Sequence, residues 1–251
     1  MKIIYKSNAG IIIETKNIKI AVDLFCDAGD LPYTSVSPLL VRSIVNREDP
    51  YGSIDYMLYT HRHMDHFNAE NVNEYLAAKG KVRLVVPYRT SKHLDCELFK
   101  SKDNDVTVLK LGEKEKLKFE KGEISITAYA FKHEGKESAD EENVGYLIEA
   151  EGKKILHLGD ACIARDNFQH TDFQNDYIDV LVAPFPYITR TDGLGLIAEY
   201  IKPKKIAVVH LPAEEKDFCG WIRGACKSAE KIRKDFEDVV IFTEIDQEMN
   251  I

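Results

Sequence analysis

The chain has 251 residues, of which 44% are hydrophobic and 30% charged, a balance typical of a globular protein that needs no disulfides for its core. Its 34 basic and 42 acidic side chains give a formal net charge of -8, which disfavours a broad electrostatic grip on nucleic acid. No segment approaches the roughly 18 to 20 consecutive apolar residues of a membrane helix, so we expect no membrane span.

The N-terminus and the cysteines predict the compartment. The chain starts with Met-Lys-Ile-Ile-Tyr, without the apolar region of a secretory signal. Its five cysteines are odd in number and form no CxxC pair. We therefore expect a cytoplasmic protein with reduced thiols.

The first half of the chain predicts an opening series of short strands rich in Ile and Val, at residues 2–5, 10–14, 18–23 and 55–60. The long segment 27–51 is typical either of a functional lid or of a packed insertion with a short helix at 38–46. A helix is predicted at 71–79, stopped by Gly80, followed by a buried strand at 82–87 and a helical stretch at 91–100.

The second half begins with residues 110–121, rich in Lys and Glu, which predict a solvated hairpin. Strands are predicted at 123–131, 145–149, 154–158, 178–183, 205–209 and 239–242, and helices at 194–201 and 221–236. Two groups of strands, each with helices, predict an α/β fold of two sheets packed face to face with helices outside, because each apolar sheet face needs a cover. The order of the strands does not follow from the sequence.

The chemistry is concentrated in Thr60-His61-Arg62-His63-Met64-Asp65-His66-Phe67, directly after a predicted strand. This segment places three of the eight histidines and one carboxylate within six positions. His61 and His63 project to the same side if the strand geometry persists. Imidazole and carboxylate are ligands of zinc, so the segment predicts a metal site.

The segment resembles the signature His-x-His-x-Asp-His of the metallo-β-lactamase superfamily. Asp23, His133, Asp160 and His210 follow the family's order, each after a predicted strand, so the resemblance spans nearly the whole chain. It implies one four-layer αββα hydrolase domain over residues 1–251. Residues 126–160, with Gly-Tyr-Leu-Ile-Glu and a later Gly-Asp, are similar to the branch that holds ascorbate-phosphate lactonase-like and phospholipase D-like members.

The resemblance also implies the ligand roles. One metal ion would be held by His61, His63 and His133, and a second by Asp65, His66 and His210. Asp160 would bridge the two ions together with a hydroxide. Asp23 would accept an imidazole N–H and so fix the tautomer of a ligand. Zinc suits this set of nitrogen and oxygen donors, and manganese or iron can also occupy it.

The reaction implied is attack of the bridging hydroxide on a small anionic ester, lactone or phosphodiester, with Asp65 as the acceptor of the nucleophile's proton. Tyr187, Arg190, Lys216 and Trp221 follow strand ends and are weaker candidates for substrate binding, although exposed side chains without such a role fit equally well. Cys26 and Cys162 are expected to be packing residues near the metals, and His157 a buried, hydrogen-bonded histidine.

Three alternatives stay open. A metal-dependent nuclease would use the same core, but the negative charge and the absence of a basic insert disfavour it. A flavodiiron-like oxidoreductase is disfavoured because His63 stands where that pattern has Glu, and because no flavodoxin-like domain follows. A metal-binding protein without catalysis would be expected to lack a ligand. The sequence gives no indication of the oligomeric state.

Overall fold

The computed structural model describes residues 1–48, 51–52, 54–78, 83–101, 104–138 and 140–251. The chain divides into two compact units. Unit 1 comprises Met1–Lys110 with Ile245–Asn250, and unit 2 comprises Leu111–Glu244. Each unit is built on its own mixed sheet and its own apolar core.

Three of the four described helices of unit 1 begin where the sequence supplies a capping side chain. In the described residues the elements of unit 1 are β1 (Lys2–Ser7), β2 (Gly10–Glu14), β3 (Lys19–Val22), α1 (Pro38–Val45), β4 (Tyr56–Leu58), α2 (Ala69–Ala77), β5 (Arg83–Pro87), α3 (Tyr88–Ser91), α4 (Cys96–Lys100) and β6 (Asp105–Leu109), with a last strand, Glu248–Asn250. Ser37, Asn68 and Asp95 precede α1, α2 and α4, and the side chain of each accepts a hydrogen bond from a backbone N–H of the first turn.

The sheet of unit 1 has, in the described residues, the order β14-β1-β2-β3-β4-β5-β6, where β14 is Glu248–Asn250. Neighbours are antiparallel from β14 to β3 and parallel from β3 to β6. The carboxyl ends of β3 and β4 therefore lie side by side at one edge, which is where side chains from consecutive loops can converge.

Unit 2 follows the same plan with more helical turns. Its described elements are β7 (Lys116–Lys121), β8 (Ile124–Lys132), β9 (Glu142–Ala150), β10 (Lys153–His157), α5 (Arg165–Phe168), α6 (Phe173–Asp176), β11 (Val180–Pro184), α7 (Pro186–Thr189), α8 (Thr191–Leu196), β12 (Lys205–Val209), α9 (Trp221–Ile232) and β13 (Asp238–Ile241). Helix α8 continues into a π-helical turn at Ile197–Ile201.

The sheet of unit 2 has, in the part of the chain that is described, the order β13-β12-β11-β10-β9-β8-β7. Neighbours are antiparallel from β7 to β10 and parallel from β10 to β13. Because β9 is antiparallel to both of its neighbours, β8 runs in the same direction as β10 and β12. The carboxyl ends of these three strands consequently share one edge of the sheet.

Most of the predicted strands are confirmed, with ends shifted by a few residues. The helical stretch predicted at 91–100 is instead two short helices, α3 and α4, since Asp95 starts a new helix. The hairpin predicted at 110–121 is displaced, because β7 is only its first arm and pairs with β8. The sequence did not predict β6 or β14. The predicted helix stop at Gly80 and the predicted strand start at Val82 lie outside the described residues.

The helix expected inside the long segment after Asp23 is confirmed as α1. Four of its side chains, Leu40, Val41, Ile44 and Val45, are buried in the core of unit 1. The described part of this segment is thus a packed insertion, while Asp49 and Pro50 lie outside the described residues. No helix among the described residues is long and apolar enough to cross a membrane.

The packing of α1 can be tested by truncating one side chain on each of its faces. Ile44 is fully buried, whereas Leu39 is 75% exposed. Ile44→Ala is expected to lower the free energy of unfolding by about 2 to 5 kcal/mol, because it leaves a cavity. Leu39→Ala should change it by less than about 0.5 kcal/mol. Urea unfolding measures both, and an unchanged stability for Ile44→Ala would contradict a packed insertion.

Candidate metal centre

Asp23 and residues 60–67, called the histidine segment below, lie at the adjacent carboxyl ends of β3 and β4. Asp23 directly follows β3 with a φ of 48°, a left-handed conformation that Asp adopts more readily than most residues with a side chain. Beyond β4 the chain turns at His63, whose carbonyl accepts hydrogen bonds from the N–H groups of His66 at 2.9 Å and Phe67 at 2.8 Å. This turn gathers the histidine segment within unit 1.

The Asp23 carboxylate is fully buried and fixes two imidazoles. Its Oδ1 accepts from the Thr60 N–H at 2.8 Å, and its Oδ2 accepts from the Thr60 hydroxyl at 2.7 Å and from His66 Nδ1–H at 2.8 Å. Because Thr60 donates its only hydroxyl proton to Asp23, Thr60 Oγ1 accepts from His61 Nδ1–H at 2.9 Å. Both neutral imidazoles therefore carry their lone pair on Nε2, the form that binds a metal ion.

The remaining members of the segment lie beside these rings. The ring centroid of His61 is 4.7 Å from that of His63 and 4.1 Å from that of His66. Asn8 Nδ2 donates to both the carbonyl and the carboxylate Oδ2 of Asp65, each at 3.0 Å. The same Oδ2 is 3.7 Å from His66 Nε2, so a carboxylate oxygen and an imidazole nitrogen occupy neighbouring positions.

Three predicted ligands of unit 2 lie together at the shared edge of β8, β10 and β12. His133 follows β8, and its Nδ1–H donates to the Glu134 carbonyl at 2.6 Å, which leaves the lone pair on Nε2. His210 directly follows β12 with a φ of 63°. Asp160 Oδ2 is 3.2 Å from His210 Nε2 and 3.8 Å from His133 Nε2. One oxygen of Asp160 thus stands beside both imidazoles.

The loop that carries Asp160 is held by a residue that the sequence did not single out. Asn143 is buried in β9; its Oδ1 accepts from the Asp160 N–H at 2.9 Å, and its Nδ2 donates to the Leu158 carbonyl at 3.0 Å. On the other side, the Tyr187 hydroxyl donates to the Ala161 carbonyl at 2.9 Å. An asparagine inside a strand is disfavoured by β propensity, and that was the available signal.

Each unit offers donors that fit a divalent metal ion. The predicted ligands are all among the side chains that could hold one: His61, His63, Asp65 and His66 in unit 1, and His133, Asp160 and His210 in unit 2. They offer only imidazole nitrogen and carboxylate oxygen, which suits zinc, manganese or iron. The hydrogen bonds to Nδ1 of His61, His66 and His133 support the tautomer that a metal requires.

The other candidates are engaged elsewhere. His157 is buried, and its Nδ1 accepts from the Gly159 N–H at 3.1 Å. Burial raises the pKa of the Cys26 thiol to about 11, and its Sγ donates to the Thr34 carbonyl at 3.7 Å. Burial also raises the pKa of Cys162. Among the described residues, neither thiol belongs to a group of side chains that could hold a metal ion, which agrees with a packing role for both.

Two of the four candidates for substrate binding, called the rim candidates below, make contacts within unit 2: Tyr187 and Arg190. Tyr187 is only 1% exposed, and burial keeps the pKa of its hydroxyl well above the ordinary value, so it acts as a hydrogen-bond donor in the core. Arg190 is exposed, but its guanidinium pairs with Asp192 at 2.7 Å and with Glu134 at 3.5 Å. Tyr187 therefore supports the Asp160 loop instead of lining an exposed rim.

The other two rim candidates are accessible. Lys216 belongs to a short 3-10 turn, Glu214–Lys216, and is partly exposed. Trp221 opens α9, and its ring stacks on Phe185 with a centroid distance of 5.5 Å and an interplanar angle of 29°. Aromatic surface is thus present after β12, in the loop that follows His210.

Comparison with known sequences gives a consistent family. A family model described as a beta-lactamase superfamily domain matches residues 32–215. A UPF0173 protein of Pyrococcus furiosus is 28% identical over 222 residues, which cover 84% of this chain and 83% of that protein. The UPF0173 metal-dependent hydrolase YtkL of Bacillus subtilis is 26% identical over 231 residues, which cover 86% of this chain and 89% of that protein.

Comparison with solved structures addresses the fold. Igni18, described as a novel metallo hydrolase from the archaeon Ignicoccus hospitalis, matches with a TM-score of 0.66 and 12% identity, covering 100% of this chain and 98% of that chain. This likeness confirms the predicted fold class, a metallo-β-lactamase-like α/β fold of two mixed sheets with helices. The narrower resemblance to lactonase-like and phospholipase D-like members stays a prediction.

Asn143 can be tested against a matched asparagine. Asn143→Ala removes the two side-chain hydrogen bonds that Asn143 makes to the Asp160 loop and should lower the free energy of unfolding by about 1 to 3 kcal/mol. Asn104 of unit 1, whose Nδ2 donates to the carbonyls of Leu76 and Leu98, serves as the control. We expect Asn143→Ala to weaken zinc binding, measured by competition with a chelating dye, more than Asn104→Ala does. Equal zinc affinities would contradict the role of Asn143.

The pKa of Cys26 predicts its reactivity. At pH 8 a thiol with a pKa of about 11 is on the order of one-thousandth thiolate, so Cys26 should resist alkylation in the folded protein. The exposed Cys96, Cys219 and Cys226 should react promptly. Iodoacetamide labelling read by peptide mass spectrometry, with denatured protein as the control, distinguishes them. Prompt labelling of Cys26 in the native state would show that the thiol is not buried as described.

Proposed function

The chain belongs to the beta-lactamase superfamily domain family, and on that premise we propose that it is a metal-dependent hydrolase with two metal ions. A relative described as a metal-dependent hydrolase supports this class. The ligand roles follow the family resemblance. His61, His63 and His133 are assigned to one ion, Asp65, His66 and His210 to the other, and Asp160 to both.

The observation that carries the proposal is the set of hydrogen bonds around the Asp23 carboxylate. Asp23 and Thr60 hold His61 and His66 with Nδ1 protonated, so each ring offers Nε2 as an acceptor. A metal ligand needs one ring nitrogen that keeps its lone pair, and these hydrogen bonds leave the lone pair on Nε2 of both rings. Asp23 is therefore proposed as the residue that positions both imidazoles.

Asp160 is proposed as the bridging carboxylate. Its backbone is held by Asn143, whose Oδ1 accepts a hydrogen bond from the Asp160 N–H. Oδ2 stands beside His133 and His210, which the resemblance assigns to different ions. When bound, two divalent cations, with zinc preferred over manganese or iron, would polarise the substrate and lower the pKa of a shared water.

Asp65 is proposed to accept the nucleophile's proton. Its backbone carbonyl and its Oδ2 both accept from Asn8, which restrains the carboxylate in one orientation. A restrained, ionised carboxylate close to the reacting atoms can take a proton without reorganising. Asn8 would act here as a positioning residue.

The substrate is proposed to be a small ester, lactone or phosphodiester with at most a compact anionic group. The net charge of -8 disfavours a long polyanion. The positive charge of Arg190, one of the rim candidates, is offset by ion pairs with Asp192 and Glu134. A polynucleotide would require a continuous basic stripe, so the nuclease alternative gains no support from these side chains.

Replacement of the proposed bridge tests the function. Asp160→Asn keeps the shape of the side chain but removes its charge, so we expect loss of one metal ion and of nearly all hydrolysis with an intact fold. His157→Gln, three residues earlier, should retain both ions and much of the activity. Elemental analysis after reconstitution with zinc, manganese or iron measures the first effect. Two ions bound in both variants would make the assignment of the bridge wrong.

Hydrolysis is measured on a panel of lactones, thioesters, phosphodiesters and phosphomonoesters. Turnover of one of these classes, weakly dependent on salt, is the expected result. Efficient cleavage of short RNA that falls steeply with rising salt would instead promote the nuclease alternative. A protein that binds no metal under any of the reconstitution conditions would refute the proposal.

A further inference from the structure

Large aromatic side chains are exposed in unit 2 between β12 and α9. Phe218 is 92% exposed and Trp221 is 40% exposed. Together with Phe185, on which Trp221 stacks, they are called the aromatic platform below. Exposed aromatic rings gain free energy when a ligand covers them, so the platform is a candidate binding surface.

Hydrogen bonds restrain the backbone that carries the platform. The Asp217 carboxylate accepts from the backbone N–H of Trp221 at 2.8 Å and from that of Ile222 at 3.0 Å, which fixes the start of α9. The Trp221 ring is held against Phe185 at 5.5 Å. Phe218 directly follows Asp217 in the chain, so the same cap restrains the backbone on both sides of it.

The platform also adjoins a proposed metal ligand of the same unit. The Phe185 N–H donates to the Val209 carbonyl at 3.0 Å, and Val209 is the residue before His210. β11 and β12 are parallel neighbours, with Pro184 paired to Val209, so Phe185 and His210 emerge from the same edge of the sheet. A molecule bound at His210 has the platform as its neighbour.

The charges beside the aromatic platform limit which molecules can bind there. Glu214, Glu215 and Asp217 flank the platform, and Lys216 is the single basic residue among them. An anionic membrane surface would be repelled by this acidic turn, because peripheral membrane helices carry Lys and Arg beside their aromatic residues. A flat apolar group of a small substrate can lie on the rings while the single anionic group of that substrate, where it has one, lies towards the proposed metal ligand His210.

We propose that the aromatic platform binds an aryl or similarly flat apolar group of the substrate, next to the bond that is hydrolysed. This inference rests on the proposed function, because it takes His210 to be part of the reaction centre. It makes Phe218 and Trp221 determinants of specificity. Substrates that present an aryl group beside the scissile bond would be preferred over methyl analogues of equal charge.

Trp221 is the only tryptophan of the chain, so its emission reports directly on the platform. The zinc-reconstituted protein is titrated with phenylphosphonate and with methylphosphonate, which carry the same charge and are not hydrolysed. We expect phenylphosphonate to bind at least about tenfold more tightly by calorimetry and to change the emission of Trp221 saturably. Phe218→Ala should abolish most of this preference, and Leu39→Ala, which removes an exposed apolar side chain of α1, should retain it.

Activity gives a second readout on methyl and phenyl 4-nitrophenyl phosphate, which share their leaving group. The wild-type kcat/KM should favour the phenyl diester by about tenfold, and Phe218→Ala should lose most of that preference, whereas Leu39→Ala should retain both the preference and the turnover of the methyl diester. Hydrolysis without an aryl preference would overturn the platform and leave the hydrolase proposal standing. Aryl-selective binding that changes Trp221 emission, without hydrolysis of any substrate, would support the platform and refute the hydrolase.

One further result would reassign the platform. Vesicles of uncharged phosphatidylcholine are added in place of the phosphonates. A change in Trp221 emission with vesicles and none with phenylphosphonate would overturn the substrate subsite in favour of a membrane surface. No change with either would show that the platform binds neither and would equally overturn the proposal.

Discussion

A carboxylate removed from water must be matched by hydrogen-bond donors, and at Asp23 that requirement orders the histidine segment of unit 1. Its three donors come from the backbone and hydroxyl of Thr60 and from the imidazole of His66. Satisfying this one charge fixes the end of β3 against the end of β4 and sets the protonated nitrogen of two rings. The left-handed backbone at Asp23 is a conformation that this network stabilises. Folding of unit 1 and preparation of its ligand set are therefore coupled through the same group.

Asp160 is positioned in a different way from Asp23. Asn143 holds its main chain, because Asn143 Oδ1 accepts a hydrogen bond from the Asp160 N–H. Asp23 is thus fixed through its carboxylate and Asp160 through its backbone, although both residues follow a strand in the sequence. Asp160 Oδ2 lies 3.2 Å from His210 Nε2 and 3.8 Å from His133 Nε2, and this geometry supports the proposed role of Asp160 as a metal ligand.

The sequence predicted the strands that end at the site and the order of the candidate ligands along the chain, because both are written in local patterns: apolar runs followed by His or Asp. It did not identify Asn8 or Asn143, since each acts across a tertiary contact on a residue many positions away. Tyr187 was expected to be a substrate-binding residue because it follows a strand. Its ring instead packs in the core of unit 2, and its hydroxyl donates a hydrogen bond to the Ala161 carbonyl. Strand order, and the pairing of β14 with β1, likewise depend on contacts between distant segments.

The proposed specificity has a different physical basis from the proposed metal ligands. The candidate ligands follow strand ends, where hydrogen bonds restrain them, whereas a substrate would also contact loop side chains that contribute little to the core. Charge is a poor guide to those loops here, because Arg190 is compensated by neighbouring carboxylates. Apolar surface is a better guide, since exposed aromatic rings gain free energy only when an occupant covers them. Phe218 and Trp221 are exposed and follow His210 in the chain, Phe218 before α9 and Trp221 at its first position. The exposed rings therefore indicate the class of substrate better than the surface charge does.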